Sequence, residues 1–397
     1  MHRTFFSHLS CSVCRKSHTG DRLQGVCTAC GAALLAVYDL DEARKSFRRS
    51  GLGGREGTMW RYRELLPVGD PSAIVSLGEG WTPLLRAPVT AGKMGADDLY
   101  IKEEGCNPTG SFKARGLSVA VSRAKELGVR DACLPSAGNA GGALAAYAAA
   151  AGIGAHVFVP ADTPRVNIDE VGFYGGQITL VEGVISDAAR VMNERRREAD
   201  WFDMSTMKEP YRLEGKKTMG YELAEQLDWS LPDVIVYPTG GGTGLVGMWK
   251  AFAELERLDW VSGNKPRMVS VQMAGCAPIV KAFEARASRS GFWNDARTVA
   301  SGLRVPKAFA DHMILEALYA SGGCALAVDD REALATMKSA AVSDGLCLCP
   351  EGAAALAAVR ILMKTGFLTG REKIVVFNTG SGYKYGEIIQ SAGMANN

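Results

Sequence analysis

From about residue 75 onward the chain alternates short apolar, β-branched runs with longer stretches in which apolar residues recur every three to four positions. The runs Leu99–Lys102, Ala132–Pro135, Ala155–Pro160, Gln177–Val181, Asp233–Tyr237, Met268–Met273, Ala325–Val328 and Lys373–Phe377 have the length and composition of strands. Between them Ala140–Ala151, Gly215–Leu227 and Gly244–Leu258 carry the helical period, as do Leu117, Ala120, Val121, Ala124 and Leu127. Alternation of this kind predicts an α/β fold of parallel sheets wrapped by helices. No internal repeat is present, and the alanine-rich stretch 143–151 reads as a closely packed helix.

The first 70 residues follow another pattern. Cys11-x-x-Cys14 and Cys27-x-x-Cys30 are two knuckles, each offering two thiolates to one tetrahedral zinc, and Gly31 suits the tight backbone after the second. The loop Arg15–Asp21 is polar and builds no core, so a metal supplies the folding energy that this segment lacks. His8 and His18 are spare candidate ligands, but four thiolates suffice. Residues 41–70 are charged and glycine-bearing, and read as a linker laid across the main body with Trp60 and Tyr62 as packing anchors.

Composition narrows the class. With 397 residues, 47% of them hydrophobic, the chain can bury a large core. A net charge of +2 with scattered positives argues against nucleic acid as a partner. No apolar run reaches the ~20 residues that span a bilayer, and Met1–Phe6 lacks the apolar region of a signal peptide, so a cytoplasmic protein is expected. Ten cysteines then read as thiols or metal ligands; Cys106, Cys133, Cys276, Cys324, Cys347 and Cys349 are expected to be small buried hydrophobes.

Chemistry concentrates in four places. In Asn107-Pro108-Thr109-Gly110-Ser111-Phe112-Lys113 a turn delivers one lysine to the start of a helix, where burial against a pocket wall lowers its pKa and makes it a usable amine. Three loops follow strands, where open α/β sheets place ligands. Ser136-Ala137-Gly138-Asn139 precedes a helix and can serve as an anion loop or simply as a cap. Gly240, Gly241, Gly242, Thr243 and Gly244 let successive N–H groups close on phosphate oxygens. The spacing Gly242-x-Gly244-x-x-Gly247 also satisfies a dinucleotide fingerprint, but the next strand ends in Gln272-Met273-Ala274 with no acid for a ribose. The last loop, Asn378-Thr379-Gly380-Ser381-Gly382, supplies a neutral hydroxyl.

An amine, a phosphate cradle, an anion loop and a lone hydroxyl together describe a site for pyridoxal 5'-phosphate. At these motifs, and at Ser76–Leu84 and Tyr211–Thr218, the chain resembles the fold-type II pyridoxal-phosphate enzymes, the tryptophan synthase β family, and within it the threonine synthases. The resemblance implies two parallel-sheet domains after the zinc-ribbon-like segment 1–45: a large cofactor-binding domain over 46–115 and 206–397, and a small mobile domain over 116–205. It implies Lys113 as the Schiff-base lysine, Asn139 on the ring hydroxyl oxygen, Gly240 to Gly244 on the phosphate and Thr379 on the ring nitrogen. Ser136 and Ala137 would hold the substrate carboxylate, and Ser205, Thr206 and Arg212 the substrate's own phosphate. The expected reaction is conversion of O-phospho-L-homoserine and water to L-threonine and phosphate. Alternatives are β-replacement or β-elimination on a phosphoserine-like or hydroxy amino acid, as in cysteate synthase or serine/threonine dehydratase, and a catalytically silent zinc-ribbon binding protein. A homodimer is expected. Ala114, Ala140 and Ser381 depart from the family's usual residues at positions that bear on the substrate.

Overall fold

The computed structural model describes residues 4–394. Thirteen strands are found among them: β1 (Phe6–Cys11), β2 (Ser17–His18), β3 (Leu34–Tyr38), β4 (Leu84–Arg86), β5 (Asp98–Glu103), β6 (Asp131–Pro135), β7 (Gly154–Pro160), β8 (Gln177–Val181), β9 (Phe202–Asp203), β10 (Val234–Pro238), β11 (Arg267–Met273), β12 (Cys324–Val328) and β13 (Lys373–Asn378). All eight strands expected from the apolar runs are among them, shifted by at most one residue at either end.

They build three sheets. The six-stranded sheet has the order β12-β11-β10-β13-β5-β4, parallel except for the antiparallel edge strand β4. The four-stranded sheet, β8-β7-β6-β9, is parallel throughout. Helices on both faces explain why central strands read as unbroken apolar runs: all five residues of β10 are buried. After β5 the chain crosses through the helix Lys113–Glu126 into the smaller sheet, and after β9 it returns through the helix Tyr211–Gln226.

The N-terminal residues form a three-stranded antiparallel sheet, β2-β1-β3. Met1 to Arg3, the first half of the stretch expected to lack a signal peptide, lie outside the described residues. No helix among the described residues is long and apolar enough to cross a membrane.

The stretch 41–70 is more ordered than a linker, with a helix at Leu40–Ser46 and 3-10 turns at Arg49–Leu52 and Met59–Leu65. Trp60 and Tyr62 do anchor it. The Trp60 indole N–H donates to Glu79 at 2.8 Å and to Ser118 at 3.0 Å, and the Tyr62 hydroxyl donates to Glu225.

Candidate active site

Every loop singled out in the sequence lies at the carboxyl end of a parallel strand, and tertiary pairing brings them to one cavity of about 290 Å³. Lys113 opens its helix just beyond the turn Pro108–Gly110, where Thr109 and Gly110 both take the left-handed conformation. The last loop lies directly against that turn. Phe112 N donates to Thr379 O at 3.1 Å and Ser381 N to Gly110 O at 2.8 Å, so the Thr379 hydroxyl and the Lys113 amine enter the same space.

Burial lowers the Lys113 pKa from its ordinary 10.5 to about 8; the Arg212 charge pushes the same way and the Glu351 carboxylate opposes it. The ammonium lies 4.3 Å from the centre of the Phe112 ring. A second amine, missed in the sequence reading, sits behind it. Lys216 is fully buried, its pKa lies well below the usual lysine range because of that burial, and it donates to the Phe112 carbonyl.

Lys113's helix is held by a buried charge network. Arg115 donates to Glu104 at 2.6 and 2.7 Å and to Glu222 at 2.5 and 2.7 Å, and Lys102 donates to Glu222 at 3.1 Å. All four side chains have no exposure. Their partners are more than 100 residues apart for Glu222, so no local pattern announces them.

The glycine loop is a cradle that tolerates no side chains. A Cβ on Gly240 would lie 2.4 Å from Gly302 O, one on Gly244 would lie 1.9 Å from the Tyr237 hydroxyl, and Gly242 has φ +78° with Ile314 filling the space where its Cβ would go. No side chain caps the helix Thr243–Arg257 behind it, which leaves first-turn N–H groups directed at the cavity. The N-cap of the helix Asn139–Ala151 is Gly138, and Ser136 Oγ, two residues earlier, accepts from Gly141 N at 3.0 Å and Gly138 N at 3.2 Å. Asn139 also lines the cavity, and its Oδ1 is buried with no partner among the described residues. That orphaned oxygen, the glycine cradle and the depressed amine are the groups that a phosphorylated pyridine aldehyde requires, so these residues fit pyridoxal phosphate.

Ser136, Ala137, Ser205, Thr206, Thr243 and Thr379 all line the cavity. Arg212 does not: it is 2% exposed, its Nη1 donates to Met204 O at 2.6 Å and its Nε has no partner among the described residues. It pairs with neither Glu209, which accepts from the Tyr211 and Arg212 backbone N–H groups, nor Glu214, which pairs with Lys217 and Lys250. The Arg212 charge reaches the Lys113 amine, and it is the foremost charge acting there. Glu351, absent from the sequence reading, does line the cavity and accepts from Gly302 N at 2.9 Å and the Tyr385 hydroxyl at 2.7 Å.

Residues 75–380 match the protein-family description "pyridoxal-phosphate dependent enzyme". The chain belongs to that family. A threonine synthase of Methanocaldococcus jannaschii is 36% identical over 375 residues, 94% of this chain and 92% of that one. One from Methanosarcina acetivorans is 34% identical over 374 residues, 94% of this chain and 91% of that one. Among solved structures, maize serine racemase superposes with a TM-score of 0.68 at 23% identity, covering 79% of this chain and 92% of that one. The processed form of threonine deaminase isoform 2 from Solanum lycopersicum gives 0.65 at 21% identity, covering 79% and 88%. These two show the shared fold-type II architecture.

The cysteine cluster lies apart from the cavity. The sulfurs of Cys11, Cys14, Cys27 and Cys30 are all within 4.8 Å of one another, with neighbouring pairs at 3.4 and 3.6 Å. Four sulfurs at ~2.3 Å around one tetrahedral zinc would be about 3.8 Å apart, so the set fits that ion. Backbone N–H groups of Val13, Cys14 and Ala29 point at the sulfurs, and Gly31 takes φ +72° as the knuckle needs. His18 is not in the set; its Nε2 lies 3.4 Å from Cys27 Sγ, while half-buried His8 lies beside Ser7. Of the other cysteines, Cys133, Cys276 and Cys349 are buried as expected, Cys324 and Cys347 partly so, and Cys106 is exposed.

Proposed function

We propose that this enzyme converts O-phospho-L-homoserine and water to L-threonine and phosphate. The observation that carries the reading is the number of anion-binding places in one cavity. The glycine cradle at Gly240–Gly244 and the N-terminal loop at Ser136–Asn139 account for a cofactor phosphate and a substrate carboxylate. Ser205 and Thr206 add a third polar wall, which an unphosphorylated hydroxy amino acid does not need. The similarity to threonine synthases along nearly the whole chain supports the same choice.

In this reading Gly240 to Gly244 hold the cofactor phosphate, Asn139 its ring hydroxyl oxygen and Thr379 its ring nitrogen. Bound pyridoxal phosphate supplies the electron sink for charge left on the substrate carbon. Lys113 would hold the cofactor, and its Nζ would move protons at the substrate's Cα and Cβ. A pKa of about 8 suits it to both taking and returning protons near neutrality. Thr379, a neutral hydroxyl, adds no proton to the ring nitrogen, and Lys216 fixes the Phe112 carbonyl from which the Lys113 helix starts. Closure of residues 116–205 over the cavity keeps water out until phosphate has left Cγ. The four cysteines would hold a zinc in a structural role, outside the reaction.

Steady-state turnover of the purified protein on phosphohomoserine, phosphoserine, serine and threonine tests this reading. Threonine and phosphate are expected in equal amounts from phosphohomoserine. Ammonia from serine or threonine, with no phosphate from phosphohomoserine, would replace it with the dehydratase alternative.

A further inference from the structure

Arg304 and Lys384 each reach across to the part of the chain that holds the four-stranded sheet. Arg304 pairs with Asp162 at 2.8 and 3.0 Å, but the Asp162 side chain is 57% exposed, and an exposed pair contributes little. Lys384 pairs with Glu170 at 2.6 Å, and here only 13% and 14% of the two side chains is exposed. Glu170 lies on the helix Arg165–Phe173, which packs on β8 and on the helix Asn139–Ala151. It presses closely on that second helix: a Cβ on Gly142 would lie 2.6 Å from Glu170 Cγ.

Lys384 stands in the 3-10 turn Gly382–Tyr385, directly after the loop that carries Thr379. Besides Glu170, its ammonium donates to Thr109 O at 3.2 Å, and its Cδ is 3.1 Å from where a Cβ on Gly110 would lie. Thr109 and Gly110 are the two left-handed residues of the turn that delivers Lys113. A β-branched residue at φ +60° persists only where its neighbours over-determine the backbone. Two of those restraints are the Phe112 N bond to Thr379 O and the Ser381 N bond to Gly110 O. Lys384 supplies the third, and of these three it is the one that also reaches the smaller sheet's helices. Its charge acts on Lys113 as well, lowering that amine's pKa in company with Arg212 and against Glu351 and Cys349.

We propose that Lys384 is a positioning residue for Lys113, acting through the Thr109 carbonyl and anchored by Glu170. One side chain ties the amine-bearing turn to a helix packed against the helix that Asn139 opens. The place of Lys113 is thereby set by where the smaller sheet sits, and movement of that sheet over the cavity is transmitted to the amine. Lys384 is not among the residues that line the cavity, so it acts from outside it. The assignment holds for any amino-acid substrate.

The test compares wild type with Lys384→Met, Lys384→Arg, Glu170→Ala and the double variant Lys384→Met/Glu170→Ala, with circular dichroism as the check of folding. The readout is the rate at which apoprotein captures pyridoxal phosphate, followed by visible absorbance up to pH 10 beside a free alkylamine. Charge and position separate by sign. Through charge alone, Lys384→Met raises the Lys113 midpoint and Glu170→Ala lowers it, and both effects vanish near pH 10 where the amine is neutral. Through position, both variants slow the pH 10 plateau itself, by roughly ten- to a hundred-fold, since a misplacement of ~1 Å costs on the order of 100-fold. The double variant should be no slower than the slower single one, and Lys384→Arg should recover most of the loss. On whichever amino acid the wild type turns over, kcat should fall by a similar factor while KM changes less than about threefold. A wild-type plateau in Lys384→Met or in Glu170→Ala would overturn the assignment. Should Lys384→Met not fold, Glu170→Ala decides alone. Failure to turn over phosphohomoserine would remove the proposed function and leave the capture measurement, which needs no substrate, to judge Lys384 by itself.

Discussion

The most consequential number in the site is the pKa of Lys113, and it can be perturbed in both directions. At pH 7 an amine of pKa about 8 is roughly one-tenth neutral, against about 0.03% for one at 10.5, a gain of roughly three-hundred-fold in reactive amine. Capture of pyridoxal phosphate by the apoprotein should therefore accelerate about tenfold per pH unit below pH 8 and level off above it. Burial is the leading cause of the depression, but the two charges named with it carry opposite signs. Arg212→Met removes a cation that disfavours the ammonium and should raise the midpoint. Glu351→Gln removes an anion that favours it and should lower the midpoint, each by on the order of one pH unit. The assay follows growth of the visible absorbance after mixing apoprotein with pyridoxal phosphate between pH 6 and 10. A parallel reaction with a free alkylamine removes the cofactor's own titration. A wild-type midpoint near 10, or shifts of the same sign in both variants, would show that the environment of Lys113 does not set its reactivity.

Glu222→Ala should lower unfolding stability by about 3–5 kcal/mol in denaturant titration, because it strands Arg115 and Lys102 with only Glu104 left to pair them. Burial alone would raise the Glu222 pKa, but Arg115 and Lys102 outweigh it and bring it to about 2; the stability it contributes is fully present above the ordinary carboxylate value and lost as pH falls through about 2. Gly242→Ala should weaken cofactor binding strongly in an equilibrium titration while leaving the far-ultraviolet circular dichroism intact, since φ +78° and Ile314 both oppose a Cβ there. Metal analysis should find about one zinc per chain, and Cys11→Ser should lose it together with the contact that joins Arg123, on the Lys113 helix, to Gly20 O.

Much of this protein is written in local order. Strands buried on both faces are apolar throughout, so the run Val234–Pro238 announces a central strand whatever surrounds it. Glycines at Gly240 to Gly244 mark a backbone that something must approach, and the pairs Cys11/Cys14 and Cys27/Cys30 mark a metal knuckle, because both chemistries depend on spacing along the chain. The short strands β2 and β9, two residues each, carry too little pattern to be seen, and β4 exists only because β5 lies beside it. Charge is where sequence reasoning fell short. Arg212 is buried with its Nε unpartnered among the described residues and its charge felt at Lys113, and nothing in its local order says so. Whether a lysine is a solvated ammonium or a depressed amine depends on how much water its neighbours displace. Glu351 beside Lys113, Phe112 beside Lys216 and Glu222 beside Arg115 are each more than 100 residues away along the chain, so only the assembled fold decides it.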